Sequence, residues 1–278
     1  MSGANGPVCE KWYRTIFLPA GSALRLQGRV PFQFLRQAGF ACALTRRFRI
    51  FGAKEATTVF RGQSRERKNN GLHNRAGVAM QGGEAGRLID IIAEGDDPVK
   101  AALETAAVVT ALFAQRGHEL VVVGGAAIEF YTEGAYMSGD IDLCRTGTAP
   151  IAPRKQQEIM AAIHAKGGPR TWRVGELFVD LLGFVENESR APYRTLETRY
   201  GPVSLIPPEL LIVERTLSAT YPQPNEEEEL CAGKLLAVCL GNKVQTDWDE
   251  VNRLAGLPEY AVSEELGRLM KEVEDELR

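Results

Sequence analysis

The sequence predicts an α/β protein of the α+β kind, a mixed sheet with flanking helices followed by a C-terminal helical region. Three observations carry this. Between residues 97 and 206, short apolar runs bounded by glycine alternate with helix-period segments. After Pro207-Pro208 the strand-like runs stop and four helix-period segments follow. Before residue 80 neither pattern persists, and the charge balance is different. The expected organisation is a basic extension over 1–79, a core over 80–206 and a helical region over 207–278.

The extension holds 14 Lys+Arg against 3 Asp+Glu, a net of +11. The remaining chain holds 19 basic against 33 acidic residues, a net of −14. Residues 36–52 could form one short basic amphipathic helix, whereas 62–77 is polar with no core-forming pattern and reads as disordered. Three readings stand side by side: a basic nucleic-acid arm, an Arg-rich and acid-poor transit peptide, and an extension dispensable to the fold with Met80 as the natural start.

Within the core, Asp97 is an N-cap and Pro98 a first-turn proline for an Ala-rich helix that stops at Gly117. HELVVVGG (118–125) is a buried strand ending in glycines, and AAIEFYT (126–132) a short helix. A turn leads to DIDLC (140–144), a second strand. Residues 152–168 read as an amphipathic helix closed by glycines. TWRV (171–174) and ELFVDLLGF (176–184) read as strands turning near Gly175, and 193–206 as a further pair with Gly201-Pro202 at its turn. Helices are expected over 209–220, 226–240, 247–256 and 263–277.

Composition narrows the class. No run approaches the roughly 18 apolar residues of a membrane span. The five cysteines are scattered, odd in number and without a CxxC pair, so neither a zinc site nor a disulfide framework is indicated. The three histidines are far apart. The expectation is a reduced, cytoplasmic protein with no membrane contact.

The chemistry is concentrated in DIDLC. Residues two apart in a strand share a face, so Asp140 and Asp142 present their carboxylates together while Ile141 and Leu143 pack on the other side. Two such charges repel, and a divalent cation removes that cost. Oxygen ligands favour Mg²⁺, which keeps waters and substrate phosphates in its shell. Gly124 and Gly125 lie where a strand meets a helix, and their backbone N–H groups can approach a phosphate closely. Asp180 is the one acid in the strand-like run LFVDLLGF, sharing a face with Phe178 and Leu182. It could ligate a second metal ion and take the proton of an attacking hydroxyl.

The string V-G-G, a spacer, S-x-D-I-D-L and a later strand Asp resembles the DNA polymerase β-like nucleotidyltransferase superfamily. The likeness is to its minimal prokaryotic members, including those that partner toxin–antitoxin systems, and it covers about residues 100–255. GGAAIEFYTEGAY and VSLIPPELLIVERTLSAT are similar to that group as well. The resemblance implies transfer of an NMP group from an NTP, ATP being the expected one, to an acceptor hydroxyl of a small molecule, RNA or protein. It implies Gly124, Gly125 and Ser138 as triphosphate ligands. Asp140, Asp142 and Asp180 are implied as the Mg²⁺ site, with Asp180 as base. The spacer between Gly125 and Asp140, 14 residues, is longer than the common pattern, and a turn around Gly134 would absorb it.

In the tail, Lys234 matches the helical cation that reaches back to phosphates in related minimal enzymes, though a surface lysine reads equally well. Lys243 and Asp247 form a K-x-x-x-D pattern near the next helix. Glu226–Glu229 reads as a solvated first turn favoured by the helix dipole. Tyr131 and Tyr136 flank the turn before the Asp pair; stacking on a base competes with core packing, which suits Tyr131 better. The rival function is a catalytically inactive nucleotide-binding or antitoxin-like module acting through a protein partner.

Overall fold

The structure, a computed structural model, describes residues 82–278. The basic extension, with the disorder and the short helix expected in it, lies outside the described residues. Among these, eight helices surround one seven-stranded mixed sheet, so the protein is an α/β fold. No helix among them is long and apolar enough to cross a membrane.

Helix α1 (Gly82–Ala93) was not read from the sequence, because its start is glycine-rich. Ala85, Ile89 and Ile92 nevertheless bury one face of it, which packs on α2 (Pro98–Ala114). Asp97 caps α2 as expected, accepting from the Lys100 N–H at 3.1 Å. The strands are β1 (Leu120–Val122), β2 (Asp140–Arg145), β3 (Lys166–Gly167), β4 (Thr171–Val174), β5 (Leu177–Phe184), β6 (Arg194–Thr198) and β7 (Gly201–Leu205). Their order across the sheet is β3-β4-β5-β2-β1-β7-β6. β1 is antiparallel to β2 and parallel to β7, and β2 is parallel to β5. α3 (Gly124–Tyr131) follows β1, and α4 (Pro153–Ala161) follows β2.

Three boundaries differ from the sequence reading, each for a local reason. The helix expected over 152–168 stops at Ala161, because His164 takes a left-handed φ of 56° and the chain turns into β3. The glycines after it serve the sheet. At Gly167 (φ +114°) a Cβ would lie 2.6 Å from the Thr171 carbonyl, and at Gly168 (φ +100°) 2.4 Å from the Trp172 ring. The turn expected at Gly201-Pro202 falls at Arg199-Tyr200 instead. There Thr198 Oγ1 accepts from the Tyr200 N–H at 3.0 Å and donates to the Gly201 carbonyl at 2.8 Å, closing the hairpin one step earlier. Finally, β1 is only three residues long, and the Gly124-Gly125 pair begins α3 rather than ending the strand.

The C-terminal helices are α5 (Pro208–Thr220), α6 (Glu226–Leu240), α7 (Trp248–Ala255) and α8 (Ser263–Leu277). Leu210, Leu211, Ile212 and Val213 of α5 are fully buried, so this helix is apolar nearly all round, as a central helix must be. Its neighbours are α6, α7, α8 and α3. Glu209, also fully buried, accepts from Arg194 of β6 and from the Asp247 N–H, both at 2.9 Å, tying sheet and helices together.

Candidate active site

The parallel register of β2 and β5 sets Asp142 beside Asp180 and Asp140 beside Phe178. All four residues share one face of the sheet. Ligand oxygens of Asp140, Asp142 and Asp180 lie within 4.8 Å of one another, Asp140 being exposed and the other two half-buried. Burial first, then the charges of Asp140 and Asp180, push the Asp142 carboxyl up to about 7 against the opposing pull of Arg215 and Arg170. Arg170 reaches Asp180 only at 3.8 Å, with nearly half of its side chain in solvent, so it offsets little of the repulsion. Three converging carboxylates with this residual charge offer the oxygen ligands that a hard divalent cation takes.

The glycine pair meets the carboxylates at the start of α3. Gly124 has φ +62°, and a Cβ there would fall 2.6 Å from Asp142 Oδ2. Glycine is therefore required twice, for the left-handed backbone and for the close approach. The Val123 N–H donates to the Asp142 carbonyl at 3.0 Å, pinning the helix entry to β2. α3 has no side-chain cap, so its positive N-terminal end opens beside Asp142. A Cβ on Gly125 would lie 2.8 Å from Ser138 Oγ. Ser138 Oγ in turn donates to Asp140 Oδ1 at 3.3 Å. The predicted Gly124, Gly125, Ser138, Asp140, Asp142 and Asp180 are thus brought together around one point.

Loop 133–139 absorbs the long spacer with left-handed residues at Glu133 and Gly134. Buried Glu129 holds the loop from below, accepting from the Ser138 N–H at 2.7 Å. Its own acidity is weakened by that burial. Lys234, on α6, donates to the Ala135 carbonyl in the same loop, touching the loop that carries Ser138. Asp247 caps α7, accepting from the Glu250 N–H at 3.1 Å, and stands outside the carboxylate cluster. Tyr131 is core, its hydroxyl donating to the Ile206 carbonyl at 2.8 Å. The Tyr136 ring rests against Gly125, and its hydroxyl is pushed up to about 12 by burial.

Arg215 escaped the sequence reading. It comes from α5, and its Nη2 is 3.6 Å from where a Gly124 Cβ would stand. Its Nη1 donates to Glu228 at 2.8 Å, while its Nε is buried without a partner among the described residues. The available signal was an arginine within the apolar helix run ELLIVERTLSAT, since arginine is seldom placed there without a partner. The partner corrects a second expectation. The Glu226–Glu229 turn is more than a solvated cap, because Glu228 pairs with Arg215 and Glu229 with Arg268, each at 2.8 Å.

No protein-family model matches the chain, and no curated protein matches it. Several solved structures overlap it in part, among them three of nucleotidyltransferase or nucleotidyltransferase-like proteins. An antigenic nucleotidyltransferase-like protein from Paracoccidioides brasiliensis overlaps at 17% identity and TM-score 0.40, covering 65% of this chain and 89% of that one. The solution structure of the antibiotic-resistance factor ANT(2'')-Ia overlaps at 17% identity and TM-score 0.36, covering 58% and 91%. Crystalline ANT(2'')-Ia in complex with adenylyl-2''-tobramycin overlaps at 18% identity and TM-score 0.27, covering 61% and 95%. Likeness this partial leaves the functional weight on the carboxylate geometry.

Proposed function

We propose that the chain is a Mg²⁺-dependent nucleotidyltransferase. It would move the NMP group of an NTP, ATP foremost, to an acceptor hydroxyl of a small molecule, an RNA or a protein, with release of pyrophosphate. The observation that carries this reading is the convergence of Asp140, Asp142 and Asp180 beside the uncapped, glycine-started N-terminus of α3. Within the polymerase β-like superfamily, the proposed place is among the minimal prokaryotic, toxin–antitoxin-associated members.

Asp140, Asp142 and Asp180 would hold the cation, which neutralises triphosphate charge when bound. The remaining chemistry belongs to the chain. The acceptor oxygen bonds to the α-phosphorus, the bond from that phosphorus to the bridging oxygen breaks, and the hydroxyl proton passes to Asp180. Backbone N–H groups at Gly124 and Gly125 face the leaving pyrophosphate, and Arg215 adds a fixed positive charge behind them. Ser138 orients Asp140 through its hydrogen bond. Lys234 supports the loop from Ala135, a positioning role rather than the direct phosphate contact that the resemblance implies. The basic extension is proposed as a unit separate from this core.

The test is incubation of the full chain with labelled NTPs and Mg²⁺ against a panel of small molecules, tRNA and cell lysate. Label should move to one acceptor class, and Asp140→Asn should abolish the transfer. Mg²⁺-NTP binding without transfer would identify an inactive nucleotide-binding or antitoxin-like module. Absence of both would remove the reading.

A further inference from the structure

A second row of side chains leads into the carboxylates from the sheet edge. Cross-strand register places Lys166 of β3 opposite Arg173 of β4, Arg173 opposite Phe178 of β5, and Phe178 opposite Asp140 of β2. Residues directly opposite one another share a face. The row therefore reads cation, cation, aromatic ring, carboxylate, on the face that also carries Asp142 and Asp180. Phe178 is 48% exposed, its ring on the solvent side of the sheet while Val179, next in the strand, packs on the opposite face. Arg173 donates to the Gly175 carbonyl at 3.1 Å and to Glu176 at 2.8 Å, an exposed pair that solvent screens, with half of its own side chain in water. Arg170, on the turn before β4, adds a third positive group near Asp180.

The row also lies on the correct side. The phosphate-facing elements, Gly124 and Arg215, stand at the Asp142 flank towards β1, whereas Phe178 stands across β2 on β5. In-line displacement requires the attacking hydroxyl to enter opposite the leaving pyrophosphate. That is the β5–β4–β3 side.

We infer that Lys166, Arg173 and Phe178 form an acceptor track for the terminal nucleotide of a single-stranded nucleic acid, its base stacked on Phe178 and its backbone phosphates against Arg173 and Lys166. This inference rests on the nucleotidyltransferase reading and narrows its acceptor to a terminal sugar hydroxyl. Exposed aromatic rings beside a cationic strip are how single strands are held without sequence preference. The track is local, a cationic strip on a core whose net charge is otherwise negative.

The test is fluorescence anisotropy of the full chain with labelled single-stranded RNA and DNA of about 12 nucleotides, in Mg²⁺ without NTP. The two oligonucleotides separate the two sources of a terminal nucleotide, and binding of either through the track supports it. Phe178→Ala should weaken binding about tenfold, and Phe178→Trp should preserve it. Lys166→Ala should reduce the salt slope by about one. Wild-type affinity in both Phe178→Ala and Lys166→Ala would overturn the track, including the outcome in which the basic extension carries all the binding. Label transfer to a small molecule and not to the oligonucleotide would overturn it too. Track-dependent binding with no transfer to any acceptor would remove the enzyme reading alone.

Discussion

β2 and β5 are the same two strands seen from two sides, and the sides could hardly differ more. On one, Ile141, Leu143, Val179 and Leu181 are all less than a tenth exposed. On the other, Asp140, Asp142, Asp180 and Phe178 gather carboxylates and an exposed ring. The apolar side is bought by burial and stabilises the fold. The carboxylate side works against the fold until something positive occupies it. One strand pair thus separates an apolar face from a charged one by a single-residue alternation.

The largest expected effect falls on the carboxylate side. Asp180→Asn should lower kcat about 10²–10⁴-fold with a smaller loss of NTP affinity, measured by label transfer alongside calorimetry. The melting temperature should not fall. Unchanged turnover would sink the three-carboxylate mechanism.

On the apolar side, Leu143→Ala should destabilise by about 2–5 kcal/mol, read from denaturant midpoints. The variant that remains folded should keep the NTP affinity of the parent. A large loss of affinity at native conditions would mean that the two sides are coupled through the strand.

Arg215 and Lys234 sharpen the contrast within the site. Arg215→Gln should weaken Mg²⁺-NTP binding about tenfold, the scale of one charge-assisted contact. Lys234→Ala should alter it much less, because its ammonium is spent on the Ala135 carbonyl. The reverse order in calorimetry would return the phosphate role to Lys234.

A last contrast is a pH dependence in metal-free protein. Burial, with the charges of Asp140 and Asp180, pushes the folded Asp142 carboxyl up to about 7 from an ordinary 3.8. Between these values the folded state holds a proton that the unfolded chain has lost, so stability falls as pH rises from about 4 to about 7. Glu214, pushed to about 7 by burial, contributes in the same direction. Asp142→Asn should flatten part of that fall, and Mg²⁺ should raise the wild-type melting temperature most at the upper end. A slope identical in wild type and variant would remove Asp142 as its source.

The site's legibility follows the range of each interaction. Asp140 and Asp142 were readable because their shared face depends on two residues of one strand. Gly124 and Gly125 were readable as a strand-to-helix junction, but not their exact placement, since the end of β1 is decided by its partners β2 and β7. Lys234 was drawn from resemblance and proved to contact a loop carbonyl. Arg215 was passed over because its neighbours, Gly124 and Glu228, are far from it in sequence.

By itself, then, the sequence determined the apolar and polar alternation of β2 and β5, the cap at Asp97 and the acidic pair of DIDLC, because period-two geometry and capping act over a few residues. The tertiary structure decided which strand lies beside β2. Pairing with β5 brings Val179 and Leu181 alongside Ile141 and Leu143 on the buried side, and a one-residue slip would turn that apolar set outward. The same register carries Asp180 to Asp142 and Phe178 to Asp140, while the burial of α5 carries Arg215 to Gly124, so the arrangement of the charged side was set by the packing of the apolar one.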